Sequence, residues 1–259
     1  NFNVSSYRTD NSCNSVAGTR STGIRNTTSV VQVVESLLCP SDQTGHLGAF
    51  FTNKPWPGQN YPVSAGDTTR FATLSARDSR GLFWIDSSCS VRDIIDGTAN
   101  TVAASERLKG TNDINTRNRG SVFRPWGTEH WGDGPSRVNP GIRAMGLQNP
   151  ANYDIKVTNC NAYAQANLGT GNHLRHAGRM WFTGMYTYSM FKTVHTPNST
   201  NADCMEGGCC EFDCNGTFTA TSNHPGGVNV LMADGQVRFV GNNVNRKIWW
   251  AVGSKAGQE

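Results

Sequence analysis

Val30, Val33, Val34, Leu37 and Leu38 recur at i, i+3, i+4, i+7 and i+8 in VVQVVESLLCP, the spacing of one helix face. The spacing predicts a short helix, with Thr28 or Ser29 as N-cap and Pro40 as its stop, although β-branched valines also suit a strand. Residues 1–28 before it are polar and read as an irregular lead-in. The stretch 42–80, rich in Gly, Pro and Thr, shows few clear strands. Ser90 and Asp93 have the spacing of a capping box ahead of Val91, Ile94 and Ile95, and Gly97 can take the left-handed stop position. One or two helical turns over 91–96 and a strand from Asn100 to Ser105 follow.

Residues 110–160 hold few periodic apolar runs and read as loops and short strands. The aromatic stretch 179–195 suits β-structure. The sharpest local pattern comes near the end, where β-runs at 228–233 and 236–240 flank Asp234-Gly235. Asp-Gly in that position predicts a type I′ hairpin, in which both turn residues take positive φ. Val228, Val230 and Met232 share one face, and Asn229, Leu231 and Ala233 the other. Both faces are largely apolar, which places the strand inside a sheet rather than at its edge. A last helix, about Val244 to Val252, is expected to pack Ile248, Trp249 and Val252 on that sheet.

Composition agrees with a turn-rich chain. Of 259 residues, 36% are hydrophobic and only 16% charged, and Gly, Asn, Ser and Thr make up the difference. The net charge is +4. Arg117, Arg119, Arg124, Arg137 and Arg143 gather in the middle of the chain, but with no helix-spaced stripe and no nucleic-acid motif. They read as solvated surface, with no nucleic-acid partner. No run approaches the ~18 apolar residues of a membrane span, and NFNVSSYRTD shows no secretory signal.

The eight cysteines, Cys13, Cys39, Cys89, Cys160, Cys204, Cys209, Cys210 and Cys214, suggest disulfides and an oxidising compartment. Cys204, Cys209, Cys210 and Cys214 crowd one loop. Two local bridges there, or bridges reaching to Cys160 or Cys89, are both compatible with the spacing. All-cysteine zinc remains an alternative, although C-x4-C-C-x3-C is no standard finger. Asp203, Glu206, Glu211 and Asp213 in that loop, and Asp133, leave calcium open as a bound ion, without the EF-hand spacing. No other cofactor is expected. Trp126, Trp131 and Trp181, with His130, are candidates for an aromatic interface or for burial in the core. Asn-x-Ser/Thr triplets start at Asn3, Asn26, Asn198 and Asn215, as chance allows in this composition. No nucleophile elbow, phosphate loop or metalloprotease helix occurs, and the chain is expected not to be an enzyme.

Several blocks together resemble a family. His224, nine residues, then Asp234-Gly235 form an H-x9-DG signature within GGVNVLMADGQVRFV. LLCPSD (Leu37 to Asp42), GLF (Gly81 to Phe83), VRDIIDGTANTVAASE (Val91 to Glu106) and the terminal IWWAVGSKAGQE accompany it in order. The chain is similar in these blocks to the planctomycete-type prepilin-like family of unknown function named for that signature, with a looser match over 107–223. The resemblance implies a single pilin-like domain over 1–259, α+β and rich in antiparallel sheet, with short helices and a loop-rich insertion at about 107–223.

It also implies a bacterial protein outside the cytoplasm, extracellular, on the cell surface or periplasmic, exported by pilin-type machinery. An apolar helix upstream of Asn1 would provide any membrane contact. The expected role is a structural subunit of a filament or surface lattice, partnered by its own copies or other envelope subunits. A displayed polysaccharide-binding module is the alternative. His224 and Asp234 lie on either side of a strand spanning about 20 Å. They are therefore expected to act structurally, with Asp234, Gly235, Gly226 and Gly227 shaping turns and His224 bonding near Pro225-Gly226-Gly227.

Overall fold

A computed structural model describes residues 31–44, 57–69, 80–84, 87–111, 113, 115–124, 150–170, 173–174, 177–182, 184, 187–205 and 216–257. The fold is α+β. Strands β1 (Val63–Ser64), β2 (Val102–Ser105), β5 (Met190–Phe191), β7 (Gly227–Met232) and β8 (Val237–Gly241) form a sheet in the order β5-β1-β2-β7-β8. All its pairings are antiparallel except β1 with β5. A small second sheet runs β4-β3-β6, from His173–Leu174, Val122–Phe123 and Asp203–Cys204. Helix α1 spans Pro150–Ala166 and α2 spans Arg246–Gly253.

The β7–β8 ribbon forms where the alternating runs are, with Leu231 opposite Val237 and Gly227 opposite Gly241. Its turn differs from the expected type I′. Gly235 has φ 89°, but Asp234 is not in the left-handed region. Gly235 N–H donates to Met232 O and Met232 N–H to Gln236 O, so Ala233, Asp234 and Gly235 make a tight turn closed by a glycine bulge. Only glycine then needs positive φ, which spares Asp234 the steric cost. Asp234 instead accepts from Gln236 N–H through its carboxylate.

β7 is internal, between β2 and β8, as its apolar pattern predicts. Val228, Val230 and Met232 are buried. On the other face Asn229 is half-buried and Leu231 remains exposed.

α2 begins at Asn245, whose side chain caps Lys247 N–H. The buried pair is Trp249 and Trp250, while Ile248 is exposed, contrary to the expected face. Two adjacent indoles bury far more area than one isoleucine. Each indole N–H also finds a buried acceptor, His195 O for Trp249 (2.7 Å) and Val194 O for Trp250 (2.8 Å). Trp249 packs with Val228, Val230 and Phe191 on the sheet, and Trp250 packs with Tyr153, Cys160 and Phe123. The two neighbours thereby join two cores.

Three expectations need correction here. The helix over 30–38 is only a 3-10 turn, Glu35–Leu37, with no buried residue, and Val34 is extended, as β-branched side chains favour. Thr28, Ser29 and Val30 lie outside the described residues. The 91–96 segment is a 3-10 turn, Val91–Asp93, with the expected capping box, but Val91 and Ile95 are exposed and form no core face. The loop-rich insertion at 107–223 carries the short strands β3–β6, in keeping with loops and short strands, but also α1, a helix not expected there, and among the described residues the aromatic stretch 179–195 gives the two residues of β5.

α1 turns Tyr153, Lys156, Cys160 and Ala164 inward at i, i+3, i+7 and i+11. Cys160 bonds Cys204 on β6 in a disulfide. Cys89 has a free thiol rather than the expected bridge, as does Cys39. Cys13, Cys209, Cys210 and Cys214 lie outside the described residues.

The Cys160–Cys204 bond closes a span of 44 residues, worth about 4 kcal/mol in the chain-entropy estimate. Cys160→Ser with Cys204→Ser is expected to lower unfolding stability by roughly 2–4 kcal/mol in denaturant titrations. His195 is buried beside Tyr153, with Nδ1 2.7 Å from the phenol oxygen, and desolvation lowers its pKa from 6.5. The unfolded chain therefore takes up a proton that the folded chain resists. This contribution to stability is present above about pH 6.5 and is lost as pH falls toward the depressed folded value. The difference in unfolding midpoint between pH 7.5 and 5.5 should shrink in His195→Gln.

Candidate functional site

Three sequence blocks that are far apart meet at the upper end of the ribbon. LLCPSD supplies Cys39, VRDIIDGTANTVAASE supplies Glu106 at the end of β2, and HPGG supplies His224 just ahead of β7. Their Sγ, carboxylate oxygen and ring nitrogen all lie within 4.8 Å of one another. His224 Nε2 stands 3.0 Å from Glu106 Oε1 and 3.9 Å from Cys39 Sγ. Cys39 and Glu106 are buried, and the His224 side chain is 39% exposed, so solvent reaches the group from the histidine side.

Each member is held by its own scaffold. Asn60 accepts from Cys39 N–H (3.0 Å) and donates to Asp42 Oδ2 (2.6 Å) and Arg107 O (2.9 Å). Asp42 Oδ2 also accepts from Lys109 N–H at 3.0 Å. The buried carboxylate of the Cys-Pro-Ser-Asp turn is thereby satisfied, and Cys39 is fixed against the strand leaving β2.

Glu106 Oε2 accepts from Asn229 N–H (2.8 Å), and Oε1 accepts from the Asn229 side-chain amide (3.2 Å). His224 N–H donates to Ser222 Oγ (2.9 Å). Asn223 joins Ser41 O to Arg119, and Asn198 accepts from Ser222 N–H and from Arg119. Ser41 Oγ lies 3.0 Å from Cys39 Sγ. Tyr61 lies against the same thiol. Its phenol is pushed up to about 12 by burial and by Cys39 and Glu106, so it stays protonated.

The glycines of HPGG have distinct tasks. Gly226 has φ 83° in open space, so it is needed for its backbone conformation. At Gly227 a Cβ would stand 2.2 Å from Val240 O and 2.7 Å from the Phe239 ring, so it is needed for close approach across the ribbon.

His224 contacts Glu106 and Cys39 rather than the 225–227 turn expected for it. Asp234 lies past the other end of β7, where it shapes the turn. The histidine uses the same ring nitrogen toward both Glu106 and Cys39. The three side chains therefore converge as a donor group.

Sequence reasoning named His224 but missed Cys39 and Glu106 as its neighbours. The available signal was that each lies in one of the blocks that carry the resemblance given above.

The other candidates fall elsewhere. Asp203 is buried, paired with Arg107 at 3.4 Å, and accepts from Thr219 N–H and Oγ1. Its oxygens are committed to the core rather than open to calcium. Glu206, Glu211, Asp213 and Asp133 lie outside the described residues. Trp181 donates to Gln32 O (3.2 Å) and meets Phe182 edge-on, while Trp126, Trp131 and His130 lie outside the described residues. Asn198 gives its amide to Gly227 O and Asn242 Oδ1, so that triplet offers no free glycan acceptor. Asn3, Asn26 and Asn215 are outside the described residues. Arg117 and Arg119 are exposed, as read from the sequence, and bond Thr200 O, Asn198 and Asn223 at the surface. Arg137 and Arg143 are outside the described residues.

A shallow groove of about 540 Å³ lies away from this group, lined by Tyr153, Asp154, Asn161, Thr196, Asn201 and Arg246 among others. Among the described residues no helix is long and apolar enough to cross a membrane.

Residues 2–247 match the family described as "Protein of unknown function (DUF1559)", and the chain belongs to it. No curated protein and no solved structure matches the chain.

Asn60→Ala should leave the Asp42 carboxylate and the Cys39 N–H short of a partner. A loss of about 2–4 kcal/mol in denaturant unfolding is expected, against less than about 1 kcal/mol for the exposed control Lys247→Ala.

Proposed function

We propose that this member of the family is a structural subunit of an extracellular or cell-envelope assembly, and that it meets a second copy of itself along β8. The observation that carries the reading is the character of that strand. β8 closes one edge of the five-stranded sheet. Val237 and Phe239 are 68% and 56% exposed, and Leu231, opposite Val237 on β7, is 38% exposed. Ladder bonds from Met232 N–H to Gln236 O and from Asn242 N–H to Gly226 O mark which residues face β7. By alternation, Val237, Phe239 and Gly241 turn their N–H and C=O groups outward.

An apolar edge with open backbone groups is usually blunted by charge, proline or cover. Here only Arg238 interrupts it, on the opposite face. A second β8 laid antiparallel satisfies the same groups about a two-fold axis and joins the apolar faces. A contact of five residues is small, which suits a weak pairing at high local concentration; a two-fold contact closes at two copies, so a larger assembly would use a further surface as well.

The Cys160–Cys204 disulfide supports an oxidising compartment. The prepilin-like resemblance supports export by pilin-type machinery. The reading is non-catalytic.

A polysaccharide-binding module is the second reading, favoured by the polar groove at Tyr153 and Arg246. It ranks lower because Tyr153 is buried beneath Arg246, whose guanidinium lies 4.2 Å from the ring centroid. No open aromatic face is left there for a sugar ring.

Sedimentation of the chain at rising concentration should show a shift from monomer to dimer. Val237→Lys with Phe239→Lys should abolish that shift while leaving the circular dichroism unchanged. Monomer at all concentrations, or undiminished assembly of the double variant, would sink the self-association.

A further inference from the structure

We infer that Cys39, Glu106 and His224 form a binding site for a zinc-class divalent ion. The donor set is sulfur, oxygen and imidazole nitrogen, a mixture that suits zinc and not the all-oxygen preference of calcium or magnesium. Zinc bonds to nitrogen and oxygen of about 2.0–2.1 Å, and to sulfur of about 2.3 Å, place tetrahedral ligand atoms roughly 3.3–3.6 Å apart. The observed separations are 3.0 Å for histidine to glutamate and 3.9 Å for histidine to cysteine, with all three atoms inside 4.8 Å. Shifts of a few tenths of an ångström, within reach of the half-exposed His224 ring, bring the two histidine separations to coordination distance, and the glutamate-to-cysteine separation, inside 4.8 Å, closes by at most about 1.2 Å.

Supporting contacts are in place around the ligands. Asn229 holds the carboxylate through its backbone and side-chain N–H groups, and Ser41 Oγ sits on the thiol. Such outer partners orient metal ligands and fix their protonation. Three protein ligands leave a fourth position, and the exposed side of His224 gives water and the incoming ion their approach.

The three ligands come from the Cys-Pro-Ser-Asp turn, the end of β2 and the segment leading into β7. A bound ion would thus tie the assembly ribbon to the body of the sheet. The inference does not depend on self-association, and metal binding is read on the monomer.

Binding requires the thiol and imidazole to give up their protons, so affinity should weaken as pH falls. The full chain, stripped with a chelator and titrated with zinc chloride by calorimetry at neutral pH, should bind one ion per chain at this site. Cys39→Ser, Glu106→Gln and His224→Gln should each weaken that binding at least tenfold. Cobalt(II) in place of zinc should give tetrahedral visible bands and a thiolate-to-cobalt charge-transfer band in the near ultraviolet, the latter lost in Cys39→Ser.

His224→Gln, at a half-exposed position, serves if the buried variants fail to fold. Absence of stoichiometric binding would overturn the inference. So would zinc binding unchanged in both Cys39→Ser and His224→Gln, or unchanged in His224→Gln where Cys39→Ser does not fold. A cobalt spectrum lacking thiolate character in the parent chain would do so as well.

Discussion

Glu106 is a buried carboxylate at the point where β2 leaves the sheet, and the arrangement of the ribbon depends on satisfying it. A carboxylate taken from water without partners costs several kcal/mol. Here Asn229 supplies two donors and His224 stands at 3.0 Å. The backbone repeats the connection, since Glu106 N–H donates to Asn229 O and Glu106 O accepts from Thr221 N–H. One residue therefore fixes the register of β7 against β2, the position of the segment before β7, and the histidine that segment carries. The outer face of the ribbon and the donor group at Cys39 are two consequences of that single anchoring.

The body behind the ribbon is joined by α2. Trp249 fills the space under β7 and Trp250 fills the space under α1. Both indoles donate to carbonyls of Val194 and His195. The connection after β5 is thus gripped by the helix, which aligns the five-stranded sheet with the small sheet and the disulfide. Buried basic side chains add to the same region. Arg107 and Lys192 each lie 5.5 Å from the Phe218 ring, and desolvation lowers the pKa of both. Arg107 is balanced by Asp203. A core with these buried polar groups is specified by pairing geometry as well as by apolar volume.

An apolar ribbon face, an uncovered edge and a donor cluster lie within one part of the molecule. The proposed contact between copies uses Val237 and Phe239, and the ring of Phe239 packs across Gly227, three residues from His224. Occupancy of the donor group would therefore bear on the stiffness of the surface that meets a neighbour.

The sequence by itself determined the features governed by local chemistry. Asp234-Gly235 sets a turn, Ser90 and Asp93 cap each other, and the alternation from Val228 to Met232 makes an internal strand. The packing of α1 was hidden because Lys156 lies on its buried face and Ile155 on its exposed one, which erases the amphipathic signal. Burial of Trp250 in place of Ile248 was equally out of reach, because the choice depends on carbonyl acceptors supplied by residues more than fifty positions away. Only the tertiary structure selected Cys160 as the partner of Cys204 and brought residues 39, 106 and 224 to one point. Pairing across such distances is decided by how sheets and helices pack, and a linear pattern carries turns and faces but not the angles at which elements meet.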